Sequence, residues 1–281
     1  MPSRSEFAVA ADAVNVRLPP MICFRVTRYC NARCGFCLAP PDGIHPKADT
    51  LIRRIDWLMQ RGVTTIHFCG GEPTIHPDLP ELLAYVQSRA GTSRMTTNGI
   101  ALSETLVTAL RVARTRVKVS LHGDQEQHDK IVGRAAFDAA VHNLRRLQSA
   151  NIPTTVQTTI VAGGEWVLDW VANFCVAAQV RQLSILPFIP RGSGYRTQVE
   201  YGLTRTQRTA LRESVRRKRH ALTGRVDVRW LDFSSQPLYV VEADGRVVIE
   251  GATESLDEVV CVIPGDPGKR KRIPIQHVSN G

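Results

Sequence analysis

Three cysteines on one short loop constrain this chain more than any other feature. Cys30, Cys34 and Cys37 follow a short apolar run, residues 21–26, that predicts a β-strand. Three thiolates at this spacing can hold an iron–sulfur cluster, which normally has four protein ligands. A set of three leaves one iron without a protein ligand, and an open coordination position is where catalytic metals bind a substrate or cofactor. Packed thiols, or a zinc knuckle with a distant fourth ligand, are the alternatives, and the spacing alone does not exclude them.

Three further motifs follow the cysteine loop. They are Gly70-Gly71-Glu72-Pro73, Thr97-Asn98-Gly99 and Ser120-Leu121-His122-Gly123, and the aromatic Phe36 lies between the last two cysteines of the loop. Together they resemble the signatures of the radical S-adenosylmethionine (AdoMet) enzymes, in that family's order and spacing over roughly residues 20–190. The resemblance implies that AdoMet chelates the open iron and is cleaved reductively to a 5′-deoxyadenosyl radical. That radical would then abstract hydrogen from a substrate.

The resemblance also implies roles for individual residues. One [4Fe–4S] cluster would be bound by Cys30, Cys34 and Cys37, and an external donor of the flavodoxin or ferredoxin type would reduce it. The residues expected to contact AdoMet are Phe36, Gly70, Gly71, Glu72, Asn98, Ser120, Arg134 and Gln157. The glycine motif would hold the methionine amino group. Arg134 would meet the AdoMet carboxylate, with an exposed arginine at a helix start as the alternative, and Gln157 would reach the ribose.

Strand-like and helix-like apolar patterns alternate along most of the chain. Short strands are predicted at residues 21–26, 64–69, 94–97, 116–121, 152–161 and 182–186, with amphipathic helices between them. Such alternation with short connections predicts a parallel sheet. Six units of this length indicate an α/β fold, a partial (β/α)6 TIM-like barrel, which is also the fold that the resemblance implies. In barrels of this type the site forms at the C-terminal ends of the strands, where the motifs would meet at one rim.

The chain is predicted to have three parts: a lead-in at residues 1–18, the partial barrel at 19–195 and a small α+β appendage at 196–281. In the appendage, Thr204 and Gln207 form the signature of a capping box. The helix that they open has a basic face, which is either solvated or a docking surface for an acidic substrate, partner or RNA. Its arginines are Arg205, Arg208, Arg212, Arg216 and Arg219. A β-hairpin around Asp244-Gly245 and a basic tail at 269–272 follow.

The hairpin resembles the start of the cysteine-rich, SPASM-like C-terminal extension of many radical AdoMet enzymes, which binds auxiliary clusters. The appendage departs from that pattern, because Glu250 stands where a cysteine is expected and only Cys261 follows. One cluster is therefore expected rather than two. The departure favours redox-neutral or externally balanced chemistry, such as decarboxylation, rearrangement or epimerisation with a thiol hydrogen donor.

Three other residues are candidates for contact with the substrate. Lys118 lies two residues before Ser120 on the fourth strand, so both side chains share one face. A buried ammonium needs an anion, either a carboxylate of the fold or an acidic group of the substrate. His122 is either a structural histidine or a substrate contact. Cys261 is either a hydrogen donor or a packed thiol among apolar neighbours.

Composition limits the classes of function. The chain has 281 residues and a net charge of +10, which suits nucleic acid, an acidic small molecule or an arginine-rich genome. Its seven cysteines, an odd number with three clustered, indicate a reducing cytoplasm rather than a disulfide framework. No apolar run is as long as the roughly 18 residues of a membrane span, so no membrane association is expected. A signal peptide is not expected either.

These observations favour a cytoplasmic radical AdoMet enzyme that acts on a small sugar- or nucleoside-like molecule of specialised metabolism. A peptide-modifying enzyme that works with a separate peptide-presenting partner is the alternative. A zinc- or cluster-containing nucleic-acid-binding module is a remote alternative. Such a module would suit the basic surface, but it does not explain Gly70-Gly71-Glu72-Pro73 behind the cysteine loop.

Overall fold

Strands and helices alternate through the described part of the chain, residues 16–232 and 238–264 of a computed structural model. The strands are β1 (Met21–Thr27), β2 (Thr65–Gly70), β3 (Thr92–Thr97), β4 (Arg116–Ser120), β5 (Thr154–Ile160), β6 (Gln182–Pro187), β7 (Asp227–Trp230), β8 (Leu238–Val241), β9 (Arg246–Glu250) and β10 (Glu258–Val262). The helices are α1 (Ala48–Met59), α2 (Leu79–Ser88), α3 (Glu104–Val112), α4 (Gln125–Val132), α5 (Phe137–Ser149), α6 (Val167–Ala177), α7 (Ser193–Tyr201) and α8 (Arg205–Ala221).

The strands form one sheet in the order β10-β9-β8-β1-β2-β3-β4-β5-β6-β7. All neighbours from β8 through β7 run parallel, and β9 is antiparallel to both β8 and β10. The sheet is not closed, since β7 and β10 are its edges. The expected α/β partial barrel is therefore confirmed.

The two faces of the sheet differ in chemistry because side chains alternate along each strand. On β1, Ile22, Phe24 and Val26 are at most 1% exposed and pack beneath the helices. Between them, Cys23 and Arg25 line a cavity on the inner face. Helix α1 covers the outer face with Leu51, Ile55 and Leu58, which recur at spacings of three and four. The apolar core therefore lies outside the sheet, and the inner face is polar.

The C-terminal region extends this sheet at both edges. Strand β7 pairs with β6, while β8 pairs in parallel with β1. The expected hairpin is present as β8 and β9, and the Thr204–Gln207 capping box opens α8. Helix α7 crosses the predicted domain boundary at residue 195, and that boundary stays a prediction. Most of the predicted lead-in and all of the basic tail lie outside the described residues.

A network of buried ion pairs joins β1 to the hairpin. Arg25 contacts both Glu242 and Glu250, and its donor–acceptor distance to Glu250 is 2.7 Å. Arg191, after β6, donates to the same Glu250 oxygen at 2.9 Å. Arg28, next to the cysteine loop, reaches Glu242 at 3.1 Å. The residue that replaces an expected cysteine, Glu250, thus binds two arginines from distant parts of the chain.

None of the helices in the described ranges combines the length and the apolar character needed to cross a membrane.

Candidate active site at the rim of the sheet

The cysteine loop follows β1 and is anchored by neighbouring backbone groups. The N–H groups of Arg33 and Gly35 donate to the last carbonyls of α4, at 3.0 and 3.2 Å. The carbonyl of Cys37 accepts the N–H of Ser193, the first residue of α7, at 2.8 Å. The Thr197 hydroxyl donates to the Gly35 carbonyl at 2.8 Å. The loop is therefore held from both sides before any cofactor binds.

The loop thiols suit a cluster. Cys30, Cys34 and Cys37 are half-buried and free of disulfides. Burial, with a smaller contribution from the neighbouring loop thiols, raises the pKa of Cys30 to about 11 and that of Cys34 to about 12. A bound cation reverses this effect, because a coordinating thiol is deprotonated. Within the described ranges no three Cys, His, Asp or Glu side chains converge on one metal ion. Three separated thiols still suit a cluster, because each cysteine would bind a different iron.

The glycines of the second motif allow close contact with the cysteine loop. A Cβ on Gly70 would collide with the Thr27 carbonyl, and one on Gly71 with the Tyr29 carbonyl. The Gly71 N–H donates to the Thr27 carbonyl and the Glu72 N–H to the Tyr29 carbonyl, both at 2.8 Å. Gly70 also has a φ of 148°, which favours glycine. The motif and the cysteine loop are thereby fixed to one another.

The Glu72 carboxylate is buried and accepts hydrogen bonds from two neighbouring segments. It is 1% exposed. One oxygen accepts from the backbone and hydroxyl of Thr74 and from the Thr97 hydroxyl, and the other accepts the Asn98 N–H at 2.7 Å. Burial raises its pKa, and these hydrogen bonds oppose the rise. The carboxylate therefore links the glycine motif to the end of β3, and the contact of Gly70, Gly71 and Glu72 with AdoMet stays a prediction.

Asn98 and Arg134 both contact the cysteine loop. The Asn98 amide donates to the Asn31 side chain at 2.7 Å and lies 4.0 Å from the Cys30 sulfur. The exposed Arg134 donates to the Asn31 carbonyl at 2.7 Å. Both expected AdoMet contacts therefore lie beside the loop, although the role of each toward AdoMet stays a prediction.

The remaining expected rim residues divide into two groups. Ser120 and Gln157 are register partners on β4 and β5, and Gln157 lines the inner cavity. Phe36 packs edge-on against His122, with 4.8 Å between ring centroids. His122 is 3% exposed, and its Nδ1 accepts the Thr159 N–H at 3.1 Å. Burial lowers its pKa well below the usual value, so the ring is neutral. The structure thus places His122 in the packing behind Phe36 and outside the cavity lining.

The inner face of the sheet encloses a cavity of about 1520 Å³. Lys118 projects into it from β4 and is half-buried. No carboxylate of the described residues pairs with Lys118, so the structural ion pair considered from the sequence is not found. Burial lowers its pKa, and the charges of Arg94 and Arg229 lower it further.

Cys261 lies apart from this cavity. It is fully buried on β10 within the main apolar core. The cysteines that do line the cavity are Cys23 and Cys69, and the sequence did not single out Cys23. Strand alternation was the available signal, because it places Cys23 on the same face as Arg25.

This fold and site define a class of protein: an open α/β barrel whose C-terminal rim carries a three-cysteine loop fixed to a Gly-Gly motif. The sequence model of the radical SAM superfamily matches residues 24–174. The chain belongs to that superfamily, whose members are enzymes. Its cofactors are a [4Fe–4S] cluster and AdoMet, and its chemistry requires a reductant.

Curated relatives match about half of the chain. It is 35% identical to the Fe-coproporphyrin III synthase of Methanosarcina barkeri, over 50% of this chain and 37% of that protein. It is 31% identical to the PqqA peptide cyclase of Granulibacter bethesdensis, over 50% and 40%. It is 32% identical to the GTP 3′,8-cyclase of Chlorobaculum tepidum, over 50% and 44%. The matched part thus spans less than half the length of each of these relatives.

Solved structures share the fold. Streptococcus suis SuiB bound to its precursor peptide SuiA superposes with a TM-score of 0.72 and 16% identity, over 87% of this chain and 62% of that one. The enzyme anSMEcpe with bound AdoMet and a peptide gives 0.69 and 15%, over 83% and 74%. At these identities the likeness concerns the fold alone.

Proposed function

We propose that this chain abstracts a hydrogen atom from a small molecule that carries an acidic group, within a sugar- or nucleoside-like framework of specialised metabolism. The outcome is a decarboxylation, a rearrangement or an epimerisation. The electron donor is a flavodoxin- or ferredoxin-type protein. The compartment is a reducing cytoplasm, because all seven cysteines are free thiols.

The residues at the rim have different roles. Cys30, Cys34 and Cys37 bind the cluster, and the Gly70–Gly71 backbone orients the methionine end of AdoMet. Asn98, Ser120, Arg134 and Gln157 bind the rest of the cofactor, together with Phe36 of the cysteine loop. When bound, the cluster and AdoMet supply a 5′-deoxyadenosyl radical. The polar inner face below the rim then binds and orients the substrate.

The environment of Lys118 is the observation that supports an acidic substrate. A half-buried ammonium without an anionic partner is unfavourable, and an acidic ligand relieves that cost. Arg94, Arg116 and Arg229 line the same cavity and reinforce its positive potential. A carboxylate or phosphate of the substrate therefore binds Lys118, with its reacting carbon toward the rim.

A peptide-modifying activity is the second candidate. The cavity of about 1520 Å³ exceeds the roughly 300–1,000 Å³ of common small-ligand pockets, so a peptide segment is a reasonable occupant. The identity to a PqqA peptide cyclase favours the same candidate. A separate partner would present the peptide in that case.

The test replaces Lys118 by methionine, which keeps the length and removes the charge. Anaerobically reconstituted wild type should bind inorganic pyrophosphate and citrate by calorimetry, and Lys118→Met should bind neither. Both proteins should release 5′-deoxyadenosine equally from AdoMet and dithionite without substrate. Lys130→Met, at an exposed position on α4, is the matched control and should retain anion binding.

Equal anion binding by Lys118→Met and wild type would contradict the proposal. An acidic peptide that binds only with a partner protein would favour the second candidate.

A further inference from the structure

Two thiols that the cluster does not use face the cavity together. Cys23 on β1 and Cys69 on β2 both line it. The strand register pairs Cys23 with His67 and Arg25 with Cys69, so the two cysteines are diagonal neighbours on one face. Each thiol shifts the pKa of the other, and neither forms a disulfide.

Cys69 of this thiol pair lies level with the proposed substrate anchor, because the residues before Cys69 and Lys118, Phe68 and Val117, are both register partners of Met95. Cys69 directly precedes Gly70 and Gly71, the backbone expected to hold AdoMet. The positive charge of Lys118 acts on the Cys23 thiol, which places the anchor and the pair in the same compartment. A molecule held by Lys118 with its reacting carbon toward the rim would pass beside Cys69.

The two thiols differ in how firmly they hold a proton. The neighbouring Cys23 thiol and burial raise the pKa of Cys69 well above its usual value, so its S–H is intact at neutral pH. The neighbouring Cys69 thiol in turn lowers the pKa of Cys23. An S–H bond is weaker than a typical C–H bond, and a protonated thiol is therefore able to quench a carbon radical.

We propose that Cys69 donates a hydrogen atom to carbon radicals formed in the cavity, with Cys23 as its positioning partner. The S–H bond breaks homolytically, a C–H bond forms, and the unpaired electron moves to the Cys69 sulfur. One electron from the low-potential reductant that also reduces the cluster, and one proton from solvent, restore the thiol. This inference rests on the proposed function and assigns it an outcome: the substrate carbon receives a solvent-derived hydrogen, as in an epimerisation.

The experiment is AdoMet cleavage in D2O without substrate, where the thiols carry exchangeable deuterium. The wild type should release 5′-deoxyadenosine with one deuterium, measured by mass spectrometry. In Cys69→Ser the deuterium should be lost, because a hydroxyl O–H bond is too strong to donate, while the iron content is retained. Cys69→Ala should behave likewise, and Cys175→Ser, in the core, should match the wild type.

Two contrary results separate the claims. Deuterated 5′-deoxyadenosine from both Cys69 variants, at the wild-type fraction, overturns the role of Cys69 and leaves the proposed function intact. If no protein releases any 5′-deoxyadenosine, the proposed function and this inference both fail.

The partner role of Cys23 has its own measurement. In cluster-loaded protein, iodoacetamide labels the thiolate form of Cys69, and mass spectrometry locates the label. Cys23→Ala removes the neighbouring thiol that raises the pKa of Cys69, so the pH profile of labelling should shift to lower pH. An unshifted profile would overturn the partner role.

Discussion

Cysteine side chains occupy three different environments in this protein. Cys30, Cys34 and Cys37 are half-buried on a loop at the rim. Cys23 and Cys69 line the polar cavity, whereas Cys175 and Cys261 are fully buried in the apolar core. A thiol on a loop can bind metal, one in a cavity can react with a ligand, and one in a core acts as a small apolar group.

Replacing a loop cysteine and replacing a core cysteine should have different effects on iron binding. After anaerobic reconstitution, the wild type should bind about four irons per chain and show a brown chromophore. Cys30→Ala should lose the cluster, because two thiolates do not retain it, and Cys175→Ala should keep its iron. An iron assay and visible absorbance measure both. Iron lost from Cys175→Ala but retained by Cys30→Ala would refute the ligand assignment, and about eight irons in the wild type would refute a single cluster.

Lys118 should make anion binding dependent on pH. Burial sets its pKa below the ordinary 10.5 of lysine, and a bound anion raises that pKa again. Citrate is fully ionised above neutral pH, so its affinity should be constant from there upward and fall as pH rises through the lowered pKa of Lys118. Charged or titratable neighbours are Cys23, Arg94 and Arg229, and His67, whose pKa is lowered to about 3, stays neutral. Calorimetry at a series of pH values measures the affinity. An equal fall in affinity in Lys118→Met would show that another group causes the pH dependence.

Some of this site could be predicted from the sequence and some could not. Alternation along β4 was sufficient to place Lys118 on the inner face, because the period of two is local. The pairing of Cys23 with Cys69 depends on the register between β1 and β2, which a single strand does not encode. The position of Cys261 in the core likewise depends on which face of β10 meets the helices.

At the scale of elements, Glu250 serves as a structural link. It lies at the end of β9 and accepts from Arg25 on β1 and Arg191 after β6. Glu242, at the turn of the hairpin, binds Arg25 and Arg28. The hairpin is thereby tied to the strand that leads into the cysteine loop. Where the resemblance to the cysteine-rich extension predicts a cysteine, this chain has a buried carboxylate.

Removal of this carboxylate should destabilise the fold. Glu250→Ala should lower the free energy of unfolding of the cluster-free protein by roughly 3 kcal/mol, since a buried charge partner is removed from two arginines. Glu258→Ala, an exposed position on β10, should have little effect. Urea denaturation measures both.

A double variant tests the cause of that loss. Arg25→Met with Glu250→Leu should be more stable than Glu250→Ala, because Glu242 keeps Arg28 and Arg191 keeps Asp257. A double variant no more stable than Glu250→Ala would show that packing, not charge, holds the hairpin.

Local signals predicted the hairpin and the capping box of α8, and both are present. Strand β7 was missed because Asp227–Trp230 is only four residues long and alternates charged with apolar side chains. The parallel pairing of β8 with β1 was missed for another reason. It joins residues more than two hundred positions apart, and no local pattern specifies such a contact.

At the scale of the whole molecule, the inner cavity follows the full length of the strands. Its lining includes Met21 and Arg116 at the starts of strands, Leu186 near the end of β6, and Leu38 beside Cys37 of the cysteine loop. The motifs expected to hold AdoMet lie only at the ends. Arginines of α8, namely Arg212, Arg216 and Arg219, line the cavity too, so the basic face predicted from the sequence partly faces this space.

A cavity of this length has a kinetic consequence. The strand starts, where Arg94 and Arg116 are exposed, offer an anionic molecule a route that does not pass the cofactor rim. AdoMet and substrate should therefore associate in either order, without one trapping or excluding the other. Stopped-flow measurement should give the same association rate for AdoMet with and without saturating citrate. An AdoMet association rate that falls toward zero as citrate fills the cavity would mean that both molecules enter through a single opening.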